Sequence, residues 1–222
     1  TYLLYYMGSN GISTKATPTK GACPSNHSFC HQRVGLATAK HPNGPWKRAN
    51  GGNPILEPGP RGSWDDIFTT NPTPYIFPNG SALLIYKARS FENINTMSTG
   101  VAFAEHWSGP YTRITSEPID LPGTCEDAGI YHSKNMGGVF RMVLHCACSY
   151  QAVWSLDGVT WNKTAPEVEW CDVGGGVVVS RRERPKWAVD RKGRVLALLT
   201  GVVPGKQIHD GDSFTMAQAV LR

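Results

Sequence analysis

The sequence predicts an all-β fold, a β-propeller, on three observations. Gly and Pro are abundant, at 24 and 16 of 222 residues, and turn dipeptides such as Asn-Gly, Asp-Gly and Gly-Gly punctuate the whole chain, which leaves little room for long helices. Short apolar runs of strand length lie between those turns. Two sequence elements also recur in fixed order, and a repeat of this period is the mark of propeller blades.

The first repeated element is a strand pair. "NPTPYIFPNGSALLIYKA" starts at Asn71, "EDAGIYHSKNMGGVFRMVLHC" at Glu126 and "ERPKWAVDRKGRVLALLTG" at Glu183. Each runs from a polar residue through Pro or Ala into a short strand, a glycine turn and an apolar strand. Aligning Asn71-Pro72, Asp127-Ala128 and Arg184-Pro185 puts the turn glycines (Gly80, Gly137 or Gly138, and Gly193) nine to eleven residues later. The opening "TYLLYYMG" matches only the second strand of this pair. The second element is "VGLATAKHPNGPWKRANGGNPIL" from Val34 and "VAFAEHWSGPYTRITSEPID" from Val101, with a shorter version, "AVWSLDGVTWN", from Ala152 around a tight Asp-Gly turn. A full unit thus reads as four strands in roughly 55 to 67 residues. A β-sandwich would use similar strands but gives no reason for the recurring order.

Residues 1–222 read as a single propeller domain. Three units and a remnant fall short of a five-bladed ring, which needs roughly sixty further residues. The expectation is a propeller lacking its N-terminal part, about one blade or more.

Composition excludes several functions. A net charge of +5 with scattered basic residues offers no nucleic-acid surface. No apolar run has the length of a membrane span. Six cysteines, Cys23, Cys30, Cys125, Cys146, Cys148 and Cys171, suit three disulfides in an oxidising compartment. Cys23 and Cys30 bracket one insertion, and Cys125 with Cys146 or Cys148 would tie one strand pair together. Sequons at Asn26, Asn79 and Asn162 fall in predicted turns or loops, where a glycan is tolerated. The chain is therefore expected to be a secreted or extracellular glycoprotein. Its seven histidines show no metal-ligand spacing, and no metal site or required cofactor follows from the residues.

In a propeller the first strand of each blade lines a central funnel, and the repeat places Asn71, Glu126 with Asp127, and Glu183 with Arg184 at equivalent positions there. Carboxyl groups converging on one axis suit glycoside hydrolysis, which uses an acid of raised pKa and a base or nucleophile. Asp127 is expected to bond backbone amides or the arginine cluster. Arg184 offers a guanidinium fork to a sugar hydroxyl or carboxylate, while Arg181 and Arg182 read as peripheral. Trp64 is a candidate stacking platform or a packing residue. Trp46, Trp107 and Trp161 read as packing residues, and His132 and His145 as buried hydrogen-bonding groups. "SLDGVTWN" is one residue short of the box sialidases carry at hairpin turns, and no arginine triad accompanies it.

The segments "YYMG", "RVGLATAKHPNGPW", "WDDIFTTNPTP", "NGSALLIYK", "GPYTR", "CED", "WSLDGVTW" and "RRERP" run in an order that resembles the five-bladed propellers of glycoside hydrolase families 43 and 32, especially their eukaryotic secreted relatives. The resemblance implies a base Asp, a pKa-tuning Asp and an acid Glu on the first strands of successive blades. Glu126 is similar in position to the general acid. Asn71 stands where the tuning Asp is usual, and an Asn cannot carry its charge. Asp65, Asp66 or Asp127 would have to take that role, and the base would precede Tyr2. The resemblance also allows a calcium or sodium ion near the axis. Two functions are thus expected: a hydrolase acting on a polysaccharide, with Asn71, Arg184, Trp64, Asp65 and Asp66 positioning the sugar, or a carbohydrate-binding or structural propeller that assembles into extracellular material.

Overall fold

The computed structural model describes residues 1–9, 28–121, 125–133, 138–146, 149–164, 168–169, 171, 178–190, 192–205 and 213–220. Among these the regular structure is strand, apart from two short 3-10 turns. The chain forms two compact units, Thr1–Ile119 and Asp120–Arg222.

The first unit holds two antiparallel sheets. One runs β1 (Tyr2–Gly8), β2 (Arg33–Ala39), β3 (Lys47–Arg48). The other is a four-stranded meander of β4 (Phe68–Ile76), β5 (Ala82–Arg89), β6 (Ser98–Ala104) and β7 (Thr112–Arg113). The second unit repeats the plan. β8 (Glu126–Ser133), β9 (Val139–Cys146), β10 (Ser149–Ser155) and β11 (Asn162–Lys163) pair in sequence, with β12 (Val168–Glu169) also on β10. β13 (Val179–Val189), β14 (Val195–Pro204) and β15 (Phe214–Ala219) form the last sheet.

The repeated elements are therefore the blade strands themselves. The first element is β4–β5, β8–β9 and β13–β14; the second is β2–β3, β6–β7 and β10–β11. Their turn glycines Gly80, Gly138 and Gly193 all have positive φ, so Gly138 is the turn residue of its pair, and Gly137 lies outside the described residues. The Gly-Pro-aromatic elements coincide too: Gly44 and Gly109 sit at φ +87° and +92°, each followed by a cis proline.

Burial explains why β5 reads as a near-continuous apolar run. Ala82 through Tyr86 are all buried, so both faces of this strand are covered. Leu84, Tyr86 and Ala88 join Val34, Leu36 and Leu56 in the core of the first unit. Tyr6 pairs across the strands with Gly35, and Tyr86 with Gly100. A side chain on either glycine would collide with the tyrosine ring, at 2.4 and 2.7 Å. Trp107 packs on that core and accepts bonds from Tyr5 and Tyr111 at its carbonyl, as the packing role requires. Trp46 instead stays at the surface. In the second unit Val143, Cys171, Val179 and Val202 form the core, with Trp187 and Leu198 against it.

One disulfide, Cys125–Cys146, joins the start of β8 to the end of β9. Cys30 and Cys171 are disulfide-bonded as well. Cys23, Cys148 and the sequon at Asn26 lie outside the described residues. Asn79 and Asn162 are exposed.

Candidate functional site

Three bulges of one design mark the first strands of the blades. Between Thr70 and Thr73 of β4, between Glu126 and Gly129 of β8, and between Glu183 and Lys186 of β13, the pairing register slips by one residue. In each case two residues on the first strand face one on the second: Asn71-Pro72, Asp127-Ala128 and Arg184-Pro185, the three dipeptides the sequence aligns. Asn71, Asp127 and Arg184 have φ of 47°, 56° and 56°, and Asn50 is the other non-glycine residue of positive φ among those described. The left-handed region costs an L-residue on the order of 1–2 kcal/mol, and bulges of this kind re-aim side chains beside functional sites.

The bulge in β8 has a chemical consequence. Successive residues of a regular strand point to opposite faces, but here Glu126 and Asp127 both reach His145. Glu126 is the cross-strand partner of His145 on β9. His145 Nδ1 lies 4.0 Å from Glu126 Oε1 and 3.9 Å from Asp127 Oδ2. The Asp127 and His145 side chains are 5% and 8% exposed, while Glu126 keeps 18% open to solvent. The Cys125–Cys146 bridge sits one step beyond the Glu126–His145 pair on both strands and holds their register.

β13 closes over this bulge from the neighbouring sheet of the same unit. Lys186 Nζ donates to the Ala128 carbonyl at 2.6 Å and Trp187 Nε1 to the Gly129 carbonyl at 3.1 Å. A Cβ on Gly129 would meet the Pro185 carbonyl oxygen at 2.5 Å, so only glycine permits the approach. Surrounding protein pushes the Lys186 ammonium down to about 8; Asp127 pulls it back up, and the Arg184 guanidinium adds to the fall. The side chain as a whole is exposed, so water screens part of that desolvation.

The charged run before the β13 bulge divides. Arg184 is exposed at the bulge. Arg181 pairs with Glu183. Arg182, expected to be peripheral, is buried, donating to Gln218 Oε1 at 2.7 Å and Thr200 Oγ1 at 3.3 Å. The strand alternation that exposes Arg181 turns Arg182 inward.

In the first unit, Asn71 is half-buried and accepts from Thr70 Oγ1 at 3.0 Å. The expected sugar contacts around it have structural work instead. Asp65 is wholly buried, with Arg113 Nε at 2.5 Å and with the Tyr86 and Ser63 hydroxyls donating at 3.0 Å. Burial pushes the Tyr86 phenol up strongly, which keeps it a donor to Asp65. Asp66 accepts the backbone N–H groups of Gly62 and Phe91, both at 2.8 Å. Trp64 stacks one face on Tyr86, 5.8 Å between centroids, and abuts Gly100. Neither Asp65 nor Asp66 presents a free carboxylate to a ligand. The "SLDGVTW" element is a self-bonded turn: Asp157 Oδ1 accepts from Ser155 Oγ and from the N–H groups of Val159 and Thr160, which holds its pKa near 2.

Sequence reasoning took His145 for a buried hydrogen-bonding group, whereas it is buried with Nδ1 unpartnered and facing the carboxylates, and it did not name Lys186. The signal was in the cysteines. Pairing Cys125 with Cys146 in an antiparallel hairpin places Glu126 directly opposite His145.

No protein-family model and no curated protein matches the chain. Solved structures do. A family 117 glycoside hydrolase of Zobellia galactanivorans superposes with a TM-score of 0.62 at 18% identity, over 97% of this chain and 56% of its own. The α-L-arabinofuranosidase of Lactobacillus brevis gives 0.66 at 15%, over 98% and 68%. Fructan 1-exohydrolase IIa of Cichorium intybus gives 0.55 at 13%, over 84% and 36%. The chain thus has the β-propeller fold of these glycoside hydrolases, the fold its repeats predict, and spans about half to two thirds of the first two and about a third of the last.

Proposed function

We propose that this chain belongs to a secreted propeller hydrolase of the family 43 and 32 type that cleaves a polysaccharide, with Glu126 as general acid. The reading rests on one observation above all. The β8 bulge turns Glu126 and Asp127 toward the same histidine and leaves Glu126 as the solvent-accessible member. A general acid needs a carboxyl that reaches the leaving oxygen and an environment that holds its orientation. The bulge at Asp127 and the adjoining disulfide supply the second by fixing the backbone at Glu126; the opening at Glu126 supplies the first. Arg184, exposed on the β13 bulge, is assigned to a sugar hydroxyl or carboxylate.

A second reading has its own observation. Asn71 occupies the bulge where the resemblance expects a charged carboxylate, so the propeller would bind carbohydrate without cleaving it and serve as an extracellular structural glycoprotein.

The test is a screen of the full-length secreted protein on oligosaccharides and aryl glycosides beside Glu126→Gln. Loss of a general acid lowers turnover by roughly 10²–10⁴-fold on substrates with poor leaving groups. Dinitrophenyl glycosides, which leave without protonation, should retain most of their rate. Equal losses on both substrate types would remove Glu126 from the acid role. Saturable binding with no turnover in the wild type would favour the binding propeller.

A further inference from the structure

We propose that Glu126, Asp127 and His145 form a binding site for a divalent transition-type cation, Zn²⁺ being the best match. Among the described residues these are the His, Cys, Asp or Glu side chains that come together as a group of three, each offering one atom, all within 4.8 Å of one another. An acidic pair alone would say little. The independent observation is His145. Its imidazole is more than nine-tenths buried, its Nδ1 has no hydrogen-bond partner, and that atom points between the two carboxylates. A buried ring nitrogen without a partner forfeits on the order of a full hydrogen bond. A cation between the three groups would satisfy it and neutralise the carboxylates together.

The ligand set selects the ion. One imidazole nitrogen and two carboxylate oxygens suit zinc and its neighbours, whereas calcium takes six or more oxygens. Ligands of tetrahedral zinc stand about 3.4 Å apart. The observed 3.9 and 4.0 Å therefore close by about half an ångström on binding, within reach of small χ rotations of Asp127 and Glu126. Glu126 keeps its opening to solvent, which gives the ion a path and leaves a coordination position for water or a sugar hydroxyl. Lys186 is the opposing charge. It is tied to the Ala128 carbonyl and interacts with Asp127, so it weakens the site without filling it.

The consequence for activity rests on the reading of Glu126 as general acid: a cation on that carboxylate takes the lone pair that would carry the catalytic proton, and zinc should inhibit hydrolysis reversibly. Binding itself does not depend on that reading.

The experiment is calorimetric titration of the full-length, disulfide-intact protein with ZnCl₂ after chelator treatment, with Co²⁺ absorption as a second readout and CaCl₂ as comparison. One equivalent of Zn²⁺ is expected. His145→Ala and Asp127→Asn should each weaken it at least tenfold, His106→Ala should leave it unchanged, and Lys186→Met should tighten it severalfold. Calcium at the same concentration should not compete. Should the variants fail to fold, wild-type crystals soaked in zinc must show an anomalous peak between the three side chains. Absence of a saturable equivalent, full binding by a folded His145→Ala protein, or an anomalous peak elsewhere would each overturn the site. If zinc binds and no glycoside is turned over, the cation site stands and the hydrolase reading falls.

Discussion

Gly129→Ala gives the sharpest test of how β13 supports the bulge. The added methyl would lie 2.5 Å from the Pro185 carbonyl oxygen and 3.0 Å from its carbon. Both are backbone atoms of the β13 bulge, held on either side by the Glu183–Gly201 and Lys186–Leu199 pairs, so no side-chain rotation relieves the contact, and the strands must part. Forcing a methyl into such a space costs about 1–3 kcal/mol. Parting also stretches the bonds from Lys186 to Ala128 and from Trp187 to Gly129, each contributing roughly 1 kcal/mol. The sum is about 3–5 kcal/mol, or a fall in Tm of roughly 6–20 °C for a chain of this size. Gly201→Ala is the matched control. Its nearest neighbour is the Glu183 carbonyl at 3.8 Å, an ordinary contact, so its stability should change by less than about 0.5 kcal/mol. Urea unfolding of both variants, followed by tryptophan fluorescence, measures the difference. A Gly129→Ala protein as stable as Gly201→Ala would refute the claim that β13 presses on the bulge.

Three other outcomes follow from the same geometry. Replacing Cys125 and Cys146 by Ser releases a loop of 21 residues, and by chain entropy should cost about 3 kcal/mol in chemical denaturation; an unchanged midpoint would show that the bridge does not hold the hairpin. Asp157 has a folded pKa near 2, below its unfolded value, so its contribution is present above about pH 4 and lost as pH falls toward 2. Because the carboxylate is exposed and water screens it, Asp157→Ala should lose no more than about 1 kcal/mol at neutral pH and show a flatter stability profile from pH 4 to 2. Arg184→Gly relieves a left-handed residue at an exposed position, and after the glycine entropy penalty should raise stability by roughly 0.5–1 kcal/mol; a loss above 1 kcal/mol would mean that the side chain is anchored.

The sequence carried the blade plan because blade strands are local. Each hairpin is written in adjacent residues: an apolar run, a glycine that must take positive φ, a second apolar run. The same locality made the Cys125–Cys146 staple one of a few choices. Long-range pairing was another matter. Asp65 finds Arg113 across 48 positions, and nothing near either residue announces it, so an acid on a Gly-rich loop looked free when its oxygens were already occupied. Trp64 is the aromatic version of the same difficulty, since a platform for a sugar and a platform for Tyr86 have the same sequence. Arg182 was misplaced for a simpler reason. A run of four charged residues suggests solvent, yet strand alternation sends every second one inward, and Gln218 on β15 receives it.

The bulges lie between these two cases. Alignment identified Asn71-Pro72, Asp127-Ala128 and Arg184-Pro185 as equivalent without revealing what they share. What they share is a strained turn of the chain repeated three times. Strain of this kind is most easily kept at Asn or Asp, whose side chains tolerate the left-handed region, and a run of glycines would have met the same backbone demand at less cost. Glycine, however, carries no side chain to aim. A bulge built on Asn, Asp and Arg turns backbone strain into orientation: it breaks the alternation of the strand and aims a polar side chain away from the face a regular strand would give it. Only the β8 copy is preceded by a carboxylate that faces a buried histidine across the hairpin. The three first strands share the device and differ in the cross-strand pair one position before it: Thr70 with Lys87, Glu126 with His145, and Glu183 with Gly201.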